Sequence, residues 1–127
     1  MTIKLIQAVN LRQLYPKFKE KVLPIKTTYK ISKLFKVIDE ESEFYTTNLN
    51  KIITDYAEKD ENGIPVLTED GKGVQLKQED IAKAEQAITE LWDLDIEIPD
   101  VQFSFDELEP IELTVEEFNY LLPFISE

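Results

Sequence analysis

Four carboxylates crowd together at Asp93, Asp95, Glu97 and Asp100. Converging in a cleft, such acids can hold a divalent cation or work as a general acid/base pair. On an extended strand, alternation instead puts Asp93, Asp95 and Glu97 on one face, about 6.5–7 Å apart. Like charges at that spacing suit the solvated face of a half-buried hairpin better than a catalytic pair. Asp60-Glu61-Asn62-Gly63 and Glu69-Asp70-Gly71 hint at calcium loops. Neither continues with ligands at the EF-hand spacing or closes on a bidentate Glu, so both read as turns. Asp70-Gly71-Lys72-Gly73 lacks the phosphate-loop pattern and opens no helix beside a strand. The chain has no Cys and no His. That removes disulfides, thiol nucleophiles, thiolate zinc sites and the Ser-His-Asp triad, together with the commonest transition-metal ligand. An enzyme would have to run on carboxylates alone, with two acids converging at perturbed pKa values. The expectation is a non-enzymatic protein with no metal and no cofactor.

The basic residues are the second grouping. Lys26, Lys30 and Lys33 fall on one helical face, with Lys36 close behind. They sit near a helix N-terminus, where cations are slightly unfavourable. Tyr29 and Phe35 lie nearby, so stacking on nucleic acid can be imagined. Across the whole chain, however, 14 basic residues face 26 acidic ones, a formal net charge of −12 that repels phosphate. No recognised nucleic-acid motif appears, so direct nucleic-acid binding is disfavoured.

The charge is also segregated. Residues 1–36 carry nine basic residues against Glu20 alone, while residues 93–127 hold 11 acids and no base. Either the basic third lies across the acidic third and neutralises it, or separate patches remain and one meets a partner. The candidate partner-binding residues are thus Lys26, Lys30, Lys33 and Lys36, or the acidic group Asp93, Asp95, Glu97 and Asp100.

These side chains need a scaffold, and 127 residues with 43% hydrophobic content suffice for one domain with an unaided core. Ile3 and Leu5 alternate with polar residues as a short strand, and Asn10 is placed to cap a helix, with Val9 and Leu14 as its staple. Pro16 breaks any long first helix, giving a turn at 11–15 and a helical piece from Pro16 to about Leu23. Ile31, Phe35, Ile38, Ser42, Tyr45, Leu49, Ile52 and Tyr56 recur in steps of four and three. With Thr27 or Thr28 as cap, that predicts one helix from about 28 to 58, packed along its length on other elements or on a copy of itself.

Gly63 ends it, and residues 64–76 read as an exposed hairpin or loop. Ile81, Ala84, Ile88 and Leu91 space a helix from about 78 to 92. Leu94, Ile96 and Ile98 alternate, the phase flips at Pro99-Asp100, and Val101, Phe103 and Phe105 resume. A β-hairpin over 94–105 would put all six on one face. Thr114 and Glu117 form a capping box that opens a C-terminal helix over about 115–125. The fold class expected is α+β: a long central helix, two or three shorter helices and a small antiparallel sheet or hairpin near the C-terminus.

The stretch Leu23-Pro24-Ile25-Lys26-Thr27-Thr28-Tyr29-Lys30-Ile31-Ser32-Lys33 resembles the L-P-I-K-x-x-Y-K-[IL]-x-K segment of a known group. These are small, acidic, uncharacterised proteins of tailed phages and prophages of Gram-positive bacteria. The long helix running into Tyr56-Ala57-Glu58-Lys59-Asp60-Glu61-Asn62-Gly63 and the close on Leu122-Pro123-Phe124-Ile125 are similar as well. The resemblance covers most of residues 20–127 and brings no catalytic residues. It implies a phage origin and a non-enzymatic role; with no Cys and no signal-like apolar segment at the start, the expected location is the bacterial host cytoplasm or the virion.

Together the expectation is a protein-interaction factor of particle assembly or host interaction, acting through the long helix and its charge patches, with a phage or host protein or a second copy as partner. The alternative is an acidic DNA mimic that inhibits a host nucleic-acid-binding or defence protein, motivated by the unopposed acids after Asp93. No apolar run is long enough to span a bilayer, so no membrane partner is expected.

Overall fold

The computed structural model describes residues 1–126 and is mostly helical, with one two-stranded antiparallel sheet. Thr2–Lys4 (β1) leads straight into Leu5–Arg12 (α1). The Gln7 side chain accepts from the Lys4 amide at 2.7 Å, satisfying one of the donors that a helix start leaves open. Asn10 consequently lies inside α1 and caps nothing, a correction to the expected boundary. Tyr15–Lys19 (α2) carries Pro16 in its first turn, where a missing amide does no harm.

Ile25–Tyr56 (α3) is a 32-residue helix, about 48 Å long. It starts earlier than a threonine cap implies. Pro24 stands at the N-cap in extended conformation, and its carbonyl accepts from the Thr28 amide at 3.0 Å. Thr27 is instead buried within the helix and donates its hydroxyl to Glu107. The apolar stripe of α3 is divided between two neighbours. Ile31, Leu34, Phe35 and Ile38 enter the main core, where α1 packs on the helix. Tyr45, Leu49 and Ile52 are only partly buried, and Ile81–Trp92 (α4) packs back on that half. The Trp92 indole N–H donates to the Tyr45 hydroxyl at 3.0 Å. Between α3 and α4, isolated bridges Ala57↔Leu76, Lys59↔Pro65 and Leu67↔Val74 fold residues 57–77 back on themselves. Gly63 and Gly71, at φ 77° and 70°, take the left-handed turn positions there.

The hairpin expected over 94–105 does not form. Asp95–Glu97 (β2) pairs antiparallel with β1 in the register Thr2↔Glu97, Ile3↔Ile96, Lys4↔Asp95. The sheet therefore joins the N-terminus to mid-chain and is not a C-terminal hairpin. At the phase flip, the Pro99 carbonyl accepts from the Val101 amide at 2.9 Å, a tight bend rather than a two-residue hairpin loop. A type I turn twists hairpin strands the wrong way, and β1 offers β2 a better edge. Ile96, Ile98, Val101 and Phe103 still reach the core, whereas Leu94 and Phe105 are exposed.

Phe105 opens Phe105–Leu108 (α5), capped by Ser104 with Glu107 in a capping box. Thr114 and Glu117 form the second such box at the start of Val115–Leu121 (α6), which tightens into a 3₁₀ turn at Leu122–Phe124. Phe103 and Phe124 are both fully buried, and the Phe103 amide donates to the Phe124 carbonyl at 2.7 Å. Among the described residues, no helix is long and apolar enough to cross a membrane.

Candidate interaction surface

Asp95 and Glu97 lie on the exposed face of β2, with Asp93 just before the strand and Asp100 just after it. Asp95 receives Lys4 Nζ at 2.7 Å across the sheet, and Asp93 receives it at 3.5 Å. The amino terminus sits 3.1 Å from Asp100 and 3.8 Å from Glu97, and the Thr2 hydroxyl also donates to Glu97. Two cations therefore lie among the four carboxylates, and each acid faces the N-terminal strand. The side chains remain mostly exposed, and of the four Asp100 alone lines a groove, the one beside Tyr29.

Part of the basic third lies across the acidic third. Lys17 pairs with Glu117, and Lys30 pairs with Glu107 at 2.9 Å. Among the described residues Glu107 is the most perturbed acid, its pKa held down to about 2. The Lys30 hydrogen bond is the main cause; partial burial opposes it, and the Ser104 amide and Thr27 hydroxyl add to it. A carboxyl held that low is a fixed anion, the opposite of a general acid. Sequence reading missed Glu107, although Ser104-Phe105-Asp106-Glu107 has the capping-box spacing that marks it.

The remaining lysines are different. Lys19, Lys21, Lys26, Lys33 and Lys36 have no acid within ion-pair distance among the described residues. Of the four candidate lysines, Lys30 is thus engaged inside the molecule, while Lys26, Lys33 and Lys36 face outward. Lys26 lies in the first turn of α3, which holds no acid, so the helix dipole disfavours it there. Helix stability does not account for this placement.

Apolar side chains stand among these lysines. Val22 is fully exposed, Ile25 is 81% exposed and Tyr29 66%. On one side of α3, Ile25 and Tyr29 border a shallow groove closed by Asp100, Val101 and Gln102, with Lys26, Lys30 and Lys33 beside it. On the other side, Tyr15, Phe18, Leu23 and Phe35 form a second groove edged by Lys19, Lys21, Lys36 and Asp39. The rings of Tyr15 and Phe18 lie 5.2 and 5.5 Å from that of Phe35. Phe35 is buried by this packing, so of the two aromatics considered for base stacking only Tyr29 is open.

The outcome is a ridge, the first three turns of α3, flanked by two lysine-edged apolar grooves. Among the described residues, no three Asp or Glu side chains gather closely enough to hold a metal ion. Comparison of the chain with protein-family models, with curated proteins and with solved structures returns no match.

Proposed function

We propose that the protein is a non-enzymatic, phage-encoded interaction factor that binds another protein, in particle assembly or at a host target, through the basic corner between α2 and α3. One observation carries this reading. In a chain of net charge −12, five lysines with no ion-pair partner among the described residues line the two grooves beside the start of α3, where Val22, Ile25 and Tyr29 stand exposed. Exposed apolar side chains with a rim in which lysines outnumber acids form the pattern of a contact surface, the apolar centre giving affinity and the rim steering encounter. The acids Asp93, Asp95, Glu97 and Asp100 share Lys4 and the amino terminus, which favours the basic corner over an acidic decoy of DNA.

The test is a tagged capture from lysate of the source host, with and without phage infection, using the wild type and the variant Lys19→Glu/Lys21→Glu/Lys26→Glu. All three positions are exposed, so circular dichroism should show an unchanged fold. The expected result is a stoichiometric protein partner that the variant loses. A partner retained in full by the variant overturns the assignment to this corner. A partner that the variant keeps but Asp93→Asn/Asp95→Asn/Glu97→Gln loses moves the function to the acidic side.

A further inference from the structure

The face of α3 turned away from the core carries two opposite patches in succession. Ile25, Tyr29, Lys33, Lys36, Glu40 and Glu43 recur in steps of three and four, so they line one face, and all six are exposed. The first half of that face is basic around Tyr29. The second is acidic beside Phe44, itself 47% exposed. Tyr29 and Phe44 stand about 22 Å apart along the helix axis. Among the described residues, none of Lys33, Lys36, Glu40 and Glu43 has an ion-pair partner. Relief within the helix is poor, because a lysine four residues before a glutamate is the weaker orientation of such a pair.

We propose that this face binds a second copy of the chain, the two α3 helices lying antiparallel about a two-fold axis level with Ile38. In that arrangement Lys33 and Lys36 of each copy meet Glu40 and Glu43 of the other, and each Tyr29 approaches the opposite Phe44. Every contact is made twice, as a two-fold interface requires. A parallel pairing would set lysine on lysine. The apolar stripe on the other side of α3 is not available for self-association, since α1 and α4 already pack on that helix. The net charge of each copy opposes approach, but beyond a Debye length of about 10 Å it is largely screened, and the facing pairs act at contact. One helix face buries little area, so the dimer belongs at the weak end of specific interfaces. This contact shares Ile25, Tyr29, Lys33 and Lys36 with the corner assigned above and extends it along α3 to Glu40 and Glu43; it is tested by substitutions at other positions than the corner's own test.

The experiment is sedimentation of the full chain over a concentration series. The wild type is compared with Lys33→Glu/Lys36→Glu, with Glu40→Lys/Glu43→Lys, with an equimolar mixture of these two, and with all four substitutions in one chain. The wild-type mass should rise reversibly toward twice that of the monomer. Each half-variant should stay a monomer. The mixture should dimerise, because acid then faces lysine in both halves, and the fourfold variant should dimerise alone, with net charge unchanged. A wild type that stays monomeric at every concentration overturns the proposal, and so do half-variants that dimerise like the wild type. A mixture that stays monomeric while each half-variant is folded by circular dichroism also overturns it. If Lys19→Glu/Lys21→Glu/Lys26→Glu loses a captured partner while the wild type proves monomeric, the corner assignment stands and self-pairing alone fails. A wild-type dimer with a partner indifferent to that variant is the reverse case.

Discussion

Lys30 Nζ donates to both oxygens of Glu107, at 2.9 and 3.0 Å, and so ties the second turn of α3 to α5. The same carboxylate accepts from the Ser104 amide at 3.1 Å, completing the cap of α5, and from the Thr27 hydroxyl at 3.0 Å. One anion therefore serves a cap, a buried hydroxyl and an ammonium, which is why it stays ionised to unusually low pH.

Stability should depend on pH through this group in a defined direction. The folded pKa of Glu107, about 2, lies below the ordinary value of 4.5. Its contribution is then fully present above about pH 4.5 and is lost as pH falls toward 2. Glu107→Gln should cost about 1–2 kcal/mol at neutral pH, one charge-assisted interaction of a partly exposed pair. The gap between variant and wild type should narrow across that window. Urea unfolding at a series of pH values measures it; parallel profiles for the two proteins would refute the assignment.

The long helix was legible because its apolar repeat is sustained from Ile31 to Tyr56, and no local alternative satisfies so regular a pattern. The C-terminal helix was legible for a local reason as well, the Thr114–Glu117 box. The sheet was not. Alternation at Ile96 and Ile98 correctly marks side chains for burial, but it cannot say which strand supplies the hydrogen bonds, and β1 lies more than 90 residues away. The basic residues of the site were visible from composition alone. Which of them would be neutralised internally was not, because Lys30 and Lys33 differ only in what the fold brings opposite them.

Ser42 offers a stabilising substitution. Its hydroxyl oxygen is buried without a hydrogen-bond partner, on the core side of α3. An unpaired buried hydroxyl has lost its water without compensation, and serine is a poorer helix former than alanine. Ser42→Ala should raise stability by up to about 1 kcal/mol, read as a higher urea midpoint at unchanged slope. A loss of stability would mean that the hydroxyl has an ordered partner.

Hydrogen exchange should divide α3 in two. All of its buried residues lie between Thr27 and Ile38, whereas Tyr45, Leu49 and Ile52 pack at the edge of the core and keep partial exposure. Local opening follows the density of buried contacts. Amides of residues 31–38 should therefore exchange at the slow, global rate, and those of residues 46–56 should exchange faster together with α4. Uniform protection along the helix would show that the two halves open as one unit.

The N-terminal strand provides the last contrast, between charge and burial at neighbouring positions. Lys4 bridges Asp93 and Asp95 in the open, where solvent screens the attraction and two mobile side chains must be ordered to make it. Ile96, directly opposite Ile3 in the register, is buried among core side chains. Truncating a buried isoleucine removes transfer energy and leaves a cavity. Ile96→Ala should cost about 2–4 kcal/mol, and Lys4→Ala should leave the urea midpoint close to wild type. If the two variants lose comparable stability, the acids after α4 hold the strand electrostatically. In that case, neutralising Asp93 and Asp95 should release it as well.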